Sequence, residues 1–351
     1  MTFELGQNRV IASKYCVMTT QQFIAGLACI FALLQPPARA SAGAATGTEG
    51  VSSAPAYVFT YFTGNGEDGL HLATSTDGYH WETLNGGRSY LKPLVGESKL
   101  MRDPCVLLGP DGTFHLVWTT AWAGKTVGYA NSKDLAHWSP QRALSVMTNE
   151  PATANCWAPE IAYDEQRREF VIFWSSTIAG KYPETLGTAE QKNNHRIYRT
   201  TTRDFQTFSP AQLFFDPGFV VIDATFLRTE KQLWLIFKDE TLKPERKYLR
   251  MVKAAGYEGP FTDLSAPFTP GWVEGPTALK VGEDYVVYFD CYRDHHYGAV
   301  RSPDLKTWED VTARLSFPKA ARHGTIIAMP AGIINALRTL PPSPAESAGQ
   351  P

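Results

Sequence analysis

The chain has 351 residues, of which 43% are hydrophobic, 12% aromatic and 19% charged, and its formal net charge is −2. This length allows two domains or one large all-β domain. The near balance of 33 basic and 35 acidic residues gives no sign of a polyanionic partner, so we expect no nucleic-acid binding.

The first 40 residues have the pattern of a secretory signal. The apolar run Phe23–Leu34 is too short for the ~20 residues that a membrane-spanning helix needs. Basic residues precede the run, and the small-x-small site Ala38–Ala40 follows it. We therefore expect residues 1–40 to be a signal peptide, with Met18 as an alternative start. The protein is then exported, to the periplasm or the exterior, and has no membrane partner.

One sequence phrase, in which an Asp precedes an aromatic residue by four, recurs along the chain. The clear copies are Asp77/Trp81, Asp134/Trp138, Asp204/Phe208 and Asp304/Trp308, with a degenerate copy at residues 254–261. The Asp can accept hydrogen bonds from the turn backbone while the aromatic side chain starts the next strand. These residues therefore predict hairpin turns and not a catalytic set.

Short segments rich in β-branched and aromatic residues surround each turn, and they group into four-stranded antiparallel units. The pattern predicts an all-β fold, a five-bladed β-propeller over residues 56–332. The first unit lacks one strand and residues 323–329 supply a spare one, so we expect the C-terminal strand to join the N-terminal blade and close the ring. Residues 41–55 and 333–351 are rich in Ala, Gly, Ser and Pro, which predicts a flexible linker and a disordered tail.

The innermost strands of a propeller begin at one mouth of its central channel, and acidic residues recur where these strands are predicted to begin. The residues at this point of the five units are Asp103, Glu160, Asp223, Glu274 and His323. Each alone has an ordinary explanation as a turn or core residue, but the recurrence predicts carboxylates that raise one another's pKa by repulsion. Two carboxylates across a channel suit acid/base hydrolysis of a glycosidic bond.

The long connections between strands are expected to return to the same face as these acids. They carry aromatic and multi-donor side chains, which suit a sugar ring with one apolar face and a belt of hydroxyls. The candidates for substrate binding are Trp122, Trp157, His195, Arg246, Arg293 and His295, with Glu160 at the rim. The insertion at 180–194 has no assigned role and is a candidate for setting substrate choice.

The motifs RDP, WAPE, IDA and EGP, followed by a late HG, occur in this order over roughly residues 57–330. Together they resemble glycoside hydrolase family 43, the five-bladed-propeller arabinosidases and xylosidases. The resemblance implies an inverting enzyme with Asp103 as general base, Asp223 as the residue that orients and tunes the acid, and Glu274 as general acid. It also implies that His323 helps to hold a metal ion through water. No cofactor is then required beyond a structural Ca²⁺ considered for the central channel.

The sequence thus predicts an exported, monomeric hydrolase of arabinose-, xylose- or galactose-containing oligo- or polysaccharides. Two alternatives stay open. One is a non-catalytic sugar-binding propeller that kept the channel without the chemistry. The other is a related five-bladed glycosidase or phosphorylase, in which Arg246 and Arg293 would serve a phosphate group.

Overall fold

The computed structural model describes residues 56–339. Within that range the chain forms five four-stranded antiparallel sheets, which are the blades of a five-bladed β-propeller. The all-β fold predicted from the sequence is therefore confirmed. The predicted signal peptide, 1–40, and the linker, 41–55, lie outside the described residues.

Each blade is a meander whose strands follow one another outward from the channel. Blade 1 contains β1 (Ala56–Phe62), β2 (His71–Ser75) and β3 (Glu82–Thr83), and blade 2 contains β4 (Arg102–Leu108), β5 (Phe114–Thr119), β6 (Thr126–Ser132) and β7 (Arg142–Ser145). Blade 3 contains β8 (Trp157–Asp164), β9 (Glu169–Ser176), β10 (Arg196–Thr202) and β11 (Gln212–Phe215). Blade 4 contains β12 (Val221–Arg228), β13 (Leu233–Asp239), β14 (Tyr248–Ala254) and β15 (Phe261–Thr262). Blade 5 contains β16 (Glu274–Val281), β17 (Asp284–Cys291), β18 (His296–Ser302) and β19 (Glu309–Asp310), and β20 (Arg322–Met329) is the inner strand of blade 1.

The ring closes between the two ends of the described chain, as the sequence predicts. Strand β20 pairs antiparallel with β1, from Ala56 opposite Met329 to Phe62 opposite Arg322. The inner strands β20, β4, β8, β12 and β16 then contact one another in turn around the channel. The inner strand of every blade is thus paired on its outer side, and β1 is left with no unpaired edge.

Apolar side chains fill the spaces between neighbouring blades. Five hydrophobic clusters of buried residues lie at the five blade junctions of the described chain. Because each blade packs on both faces, central strands read as continuous apolar runs and do not alternate, as in β9 (EFVIFWSS), which is buried at seven of its eight positions.

The four repeated Asp residues form the turns that the sequence predicts. In each turn the carboxylate accepts hydrogen bonds from the backbone N–H groups two and three residues ahead, as Asp134 does from Ala136 (2.9 Å) and His137 (2.8 Å). Asp77, Asp204 and Asp304 repeat this pattern. All four turns join the third strand of a blade to the fourth, so strand direction puts them on the face opposite the inner strands' first residues.

The predicted disordered tail, 333–351, is wrong in its first part, because helix α1 spans Ala331–Thr339. Ile334 and Leu337 recur at helical spacing and are buried in the cluster between blades 1 and 2. Arg338 adds a salt bridge to Glu82 at 2.8 Å. Composition alone missed this apolar stripe. No helix within 56–339 has the length and apolar character to cross a membrane.

Candidate active site

Each inner strand begins with a β-bulge that turns one side chain toward the channel mouth. In blades 2, 3 and 5 the register with the second strand shifts just after the first inner-strand residue, and in blade 4 it shifts after the second, Ile222. The residue inside the bulge has a left-handed backbone, with φ of 51° at Asp103, 46° at Ala158, 53° at Asp223 and 57° at Gly275. Bulges commonly re-aim side chains in this way next to functional sites.

The register separates the five predicted channel residues into three levels. Asp103, Asp223 and His323 occupy the same position of their blades, two residues before the ladder resumes. Glu274 lies one position earlier, level with Arg102 and Arg322 of other blades. The prediction that all five residues lie on one rim is therefore wrong, because the sequence motifs do not show where a β-bulge shifts the strand register.

Glu160 lies two positions deeper than Asp103 and does not line the cavity that contains Asp103, Asp223 and Glu274. It is level with Cys105, Thr225, Thr277 and Thr325, and it lines a second cavity of about 420 Å³ that contains the deeper part of the channel. Thr225 Oγ1 donates to its carboxyl at 3.1 Å. Burial raises the pKa of Glu160 to about 7, although the charge of His323 opposes the shift. The prediction that Glu160 binds substrate is not supported by this placement.

Asp103, Asp223 and His323 form one buried cluster. His323 Nδ1 lies 3.3 Å from Asp103 Oδ1 and 3.9 Å from Asp223 Oδ2. Thr119 Oγ1 donates to Asp103 Oδ2 at 2.7 Å, and the Gly275 N–H donates to Asp223 Oδ2 at 3.1 Å. Blades 5 and 1 approach closely at this cluster. Position 275 is glycine, and a Cβ there would lie 2.3 Å from the His323 ring.

Glu274 is held by cations from two other blades. Lys238 on β13 donates to its Oε2 at 3.1 Å, and Arg322 on β20 donates to its Oε1 at 3.2 Å. Arg322 is itself fixed by Asp290, whose Oδ2 accepts from Nε at 2.6 Å. Both oxygens of Glu274 are therefore engaged by positively charged donors.

The environments of these groups drive their pKa values apart. Burial opposes ionisation of Asp103, but hydrogen bonding to His323 and the positive charge nearby lower its pKa to about 2. Burial alone would lower the pKa of His323, yet its bond to Asp103 and the surrounding carboxylates raise it to about 9. Burial raises the pKa of Asp223 to about 7, partly offset by His323 and reinforced by Glu274. For Glu274, Lys238 and Arg322 outweigh burial and lower the pKa.

At neutral pH this gives an ionised Asp103 beside a protonated His323. The pKa of Asp223 is the highest of the three carboxyl groups, because Asp223 is buried and the negative charge of Glu274 opposes its ionisation. Separated pKa values among neighbouring carboxyl groups are the arrangement that general acid/base catalysis requires.

A cavity of about 410 Å³ contains this cluster in its wall. It lies within the size range of small-molecule sites. Its other walls come from the connections that the sequence analysis assigned to this face: Asn65, Trp122, Trp157, Glu190, Gln191, Asn193, His195 and Tyr292. The insertion at 180–194 therefore contributes part of the wall.

Three of the predicted binding residues line the pocket. The rings of Trp122 and Trp157 meet edge to face at 5.6 Å, and His195 packs on Trp157 at 4.7 Å. Trp122 is 53% exposed, which leaves apolar ring surface open to a ligand. His195 is fully buried, and burial lowers its pKa to about 3, so its imidazole is neutral.

Three other predicted binding residues are not brought to the pocket. Arg246 is bound to Asp239 at 3.2 Å, Arg293 lies over the ring of Trp272, and His295 is exposed on the connection after β17. The sequence placed them on the correct face, but loop paths determine which side chains reach the cavity, and these paths leave no periodic signal.

The sequence analysis missed the basic residues that border the acids. Arg102 and Arg322 directly precede Asp103 and His323 in the chain, and Lys238 interrupts the otherwise apolar strand β13. A charged residue within a buried strand indicates a partner. That signal was available for Lys238 in the segment LWLIFKD.

The channel side chains do not fit a directly coordinated Ca²⁺ ion. Ca²⁺ takes 6–8 oxygen ligands, whereas residues 56–339 contain no group of three His, Cys, Asp or Glu side chains arranged to hold a metal. His323 Nδ1 is directed at Asp103, and the carboxyl groups in the wall of the deeper cavity are those of Glu160 and the exposed Glu165.

Comparison with known proteins relates this site to a family. The model of the glycosyl hydrolase 43-related family, described as a probable glycosyl hydrolase domain, matches residues 53–332. An α-L-arabinofuranosidase of Bifidobacterium longum subsp. longum is 23% identical over 259 residues, which are 63% of this chain and 24% of that protein. The chain therefore spans about a quarter of the length of this curated relative.

A solved structure of a family-43 enzyme shows the same fold. A thermostable family-43 glycoside hydrolase superimposes with a TM-score of 0.50 at 16% identity, covering 64% of this chain and 78% of that one. An α-L-arabinofuranosidase from Lactobacillus brevis superimposes with a TM-score of 0.47 at 15% identity, covering 60% and 72%. The family match covers well over half of the chain, from the first strand to the last, so this protein belongs to the glycosyl hydrolase 43-related family.

Proposed function

We propose that this protein is a glycoside hydrolase that cleaves arabinose-, xylose- or galactose-containing glycans with inversion. The observation that carries the proposal is the division of charge in the pocket. His323 and Thr119 favour the ionised form of Asp103, while burial and the charge of Glu274 favour the protonated form of Asp223 in the same cavity. An inverting glycosidase needs an ionised base and a protonated acid on opposite sides of the scissile bond.

In this mechanism Asp103 accepts the proton of the attacking water, and Glu274 donates a proton to the leaving oxygen. Asp223 is held in place by the Gly275 N–H and interacts electrostatically with Glu274, so it orients and tunes the donor. His323 fixes Asp103 and balances the charge of the acids. Asp103 on blade 2 and Glu274 on blade 5 are separated by blade 1 around the ring, which leaves the channel mouth between them.

The pocket wall offers apolar ring surface beside polar groups. Arg322, in this wall, is paired with Asp290 and Glu274. Arg102 donates to Asn65 at 3.1 Å and lies against the Trp122 ring. The exposed face of Trp122 suits the apolar face of a sugar ring. The curated relative is named as an arabinofuranosidase, which supports arabinofuranosides as the first substrates to test.

A panel of aryl arabinofuranosides, xylosides and galactosides, with matching natural oligosaccharides, tests the proposal. We expect Asp103→Asn to lose ~10²–10⁴-fold in activity on every substrate, as expected for loss of a general base. Glu274→Gln should lose most on natural glycosides and least on aryl glycosides, whose leaving groups need little protonation. The first product seen by proton NMR should have the inverted anomeric configuration, and Glu283→Gln, an exposed carboxylate, is the matched control.

Full activity in Asp103→Asn would contradict the proposal. Binding of oligosaccharides without turnover would favour the sugar-binding alternative, and phosphate-dependent turnover would favour a phosphorylase, for which Arg246 and Arg293 are poorly placed. We also propose export as a monomer. The intact mass of the purified protein shows whether residues 1–40 are removed, and light scattering gives its oligomeric state.

A further inference from the structure

A buried row of alternating charges leads away from Glu274. Lys238 Nζ lies 3.1 Å from Glu274 Oε2 and 2.8 Å from Glu240 Oε2. Glu240 also pairs with Lys247, whose Nζ lies 3.7 Å from Glu190 on the insertion at 180–194. The side chains of Lys238 and Lys247 are 2% and 0% exposed. The row therefore connects the proposed acid to a loop that forms part of the pocket wall.

Lys238 is the shared member of this row. One buried ammonium serves two carboxylates, Glu274 and Glu240, and it also lies 4.5 Å from the centre of the Tyr292 ring. Burying an ammonium is costly unless it is paired, so the pairing with both acids is what keeps Lys238 charged. These charges outweigh burial and raise the pKa of Lys238.

The ionisation of Glu274 depends on every charged group that faces it. These groups are Lys238 from β13, Arg322 and His323 from β20, Asp223 from β12, Asp290 from β17 and Tyr292 after β17. Arg322 shares its charge with Asp290 at 2.6 Å. Lys238 shares its charge with Glu240. The carboxylate at position 240 therefore competes with Glu274 for the same cation.

We propose that Lys238 is a positioning residue that sets the pH at which Glu274 releases its proton, and that Glu240 limits this effect by competing for Lys238. The catalytic meaning of the inference rests on the function proposed above. The predicted effect of Lys238 and Glu240 on the pKa of Glu274 does not rest on that function, because the row of ion pairs exists whichever reaction the pocket performs.

Replacing Lys238 and replacing Glu240 should shift the pKa of Glu274 in opposite directions. Removing Lys238 takes a cation from Glu274 and leaves it harder to ionise. Removing the charge of Glu240 leaves Lys238 with Glu274 as its remaining carboxylate partner in the row, so Glu274 becomes easier to ionise. Since a general acid must be protonated, the alkaline limb of kcat/KM should move up in Lys238→Met and down in Glu240→Gln. A merely structural role would not produce opposite shifts.

Carboxyl titration of uniformly ¹³C-glutamate-labelled protein measures the effect without any substrate. The Glu274 signal is assigned by its loss in Glu274→Gln. We expect its midpoint to rise by on the order of one pH unit in Lys238→Met and to fall in Glu240→Gln. Lys238→Arg should stay near wild type, and Lys280→Met, at an exposed pair with Glu283, should leave the midpoint unchanged.

An unchanged midpoint in both Lys238→Met and Glu240→Gln, or shifts in the same direction, would overturn the proposal. If Lys238→Met does not fold, the downward shift in Glu240→Gln and the retained midpoint in Lys238→Arg decide the matter. The pH profile of kcat/KM on any cleaved glycoside is then compared with the titration. Failure of all glycosides would count against the proposed function alone, because the titration does not use turnover.

Discussion

At the scale of single residues, the β-bulge at the start of each inner strand is a feature of the fold that orients the proposed catalytic carboxyl groups. Asp103 and Asp223 adopt left-handed φ values there, which cost most residues ~1–2 kcal/mol but suit Asp better than most. Ala158 adopts the same conformation in blade 3 and has no acidic group. The bulge is therefore present without an acid, and placing Asp in it aims a carboxyl at the channel.

Thr119 is the residue that joins this backbone feature to the proposed base. Its Oγ1 accepts the Ala158 N–H at 2.7 Å and donates to Asp103 Oδ2 at 2.7 Å, so its proton is committed to the carboxylate. We expect Thr119→Val to leave the Ala158 N–H unpaired at a cost of about 1–3 kcal/mol. The lost donor should also raise the pKa of Asp103.

Since the base must be ionised, the acidic limb of kcat/KM should move to higher pH in Thr119→Val, by a fraction of a unit. Urea denaturation and the pH profile measure the two effects. Thr119→Ser keeps the hydroxyl and is the matched control. A Thr119→Val enzyme with the wild-type acidic limb would show that Asp103 does not depend on this bond.

At the scale of the element, the Asp turns contribute stability at the face opposite the pocket. Burial opposes ionisation of Asp134, but the N–H groups of His137 and Ala136 and the His137 ring together outweigh it and lower its pKa to about 2. A carboxyl whose folded-state pKa is below its unfolded value of 3.8 stabilises the fold above that pH. This contribution is lost as the pH falls from about 4 toward 2.

We expect Asp134→Ala to lower the free energy of unfolding by about 1 kcal/mol at pH 7, because two backbone donors lose their acceptor. The difference from wild type should narrow as the pH falls below 4. Urea denaturation at several pH values measures this difference in unfolding free energy, and the specific activity should stay unchanged. Asp294→Ala, at an exposed site, is the control, and a difference that stays constant down to pH 2 would contradict the argument.

The elements show which features could be predicted from sequence. The strands and the Asp turns were predictable because each depends on contacts between residues close in the chain, such as Asp134 with His137. Glu160 was misplaced by two positions because a bulge depends on pairing with a second strand. Arg293 and the buried stripe of α1 were misjudged because loop paths and docking of a short helix depend on the assembled molecule.

At the scale of the whole molecule, the ring is held by one pairing between distant parts of the chain. Strand β20 supplies the inner strand of blade 1 and carries Arg322 and His323 into the site. Thr60 on β1 links blade 1 to blade 2 as well, because its Oγ1 donates to Pro104 O at 2.9 Å. Closure of the ring and assembly of the proposed active site are therefore one event.

A pair of truncations separates ring closure from helix docking. A chain ending at Ala321 lacks β20, so β1 is left with unpaired backbone groups and Ile326 is lost from the cluster between blades 5 and 1. We expect it not to unfold cooperatively and to aggregate through this edge. A chain ending at Pro330 keeps β20 and lacks α1 together with residues 340–351. It should keep the fold and activity and lose about 2–4 kcal/mol of stability, from burial of Ile334 and Leu337. Size-exclusion chromatography and urea denaturation compare the two chains. If the chain ending at Ala321 unfolds at the same urea midpoint as the chain ending at Pro330, closure of the ring does not hold the propeller together.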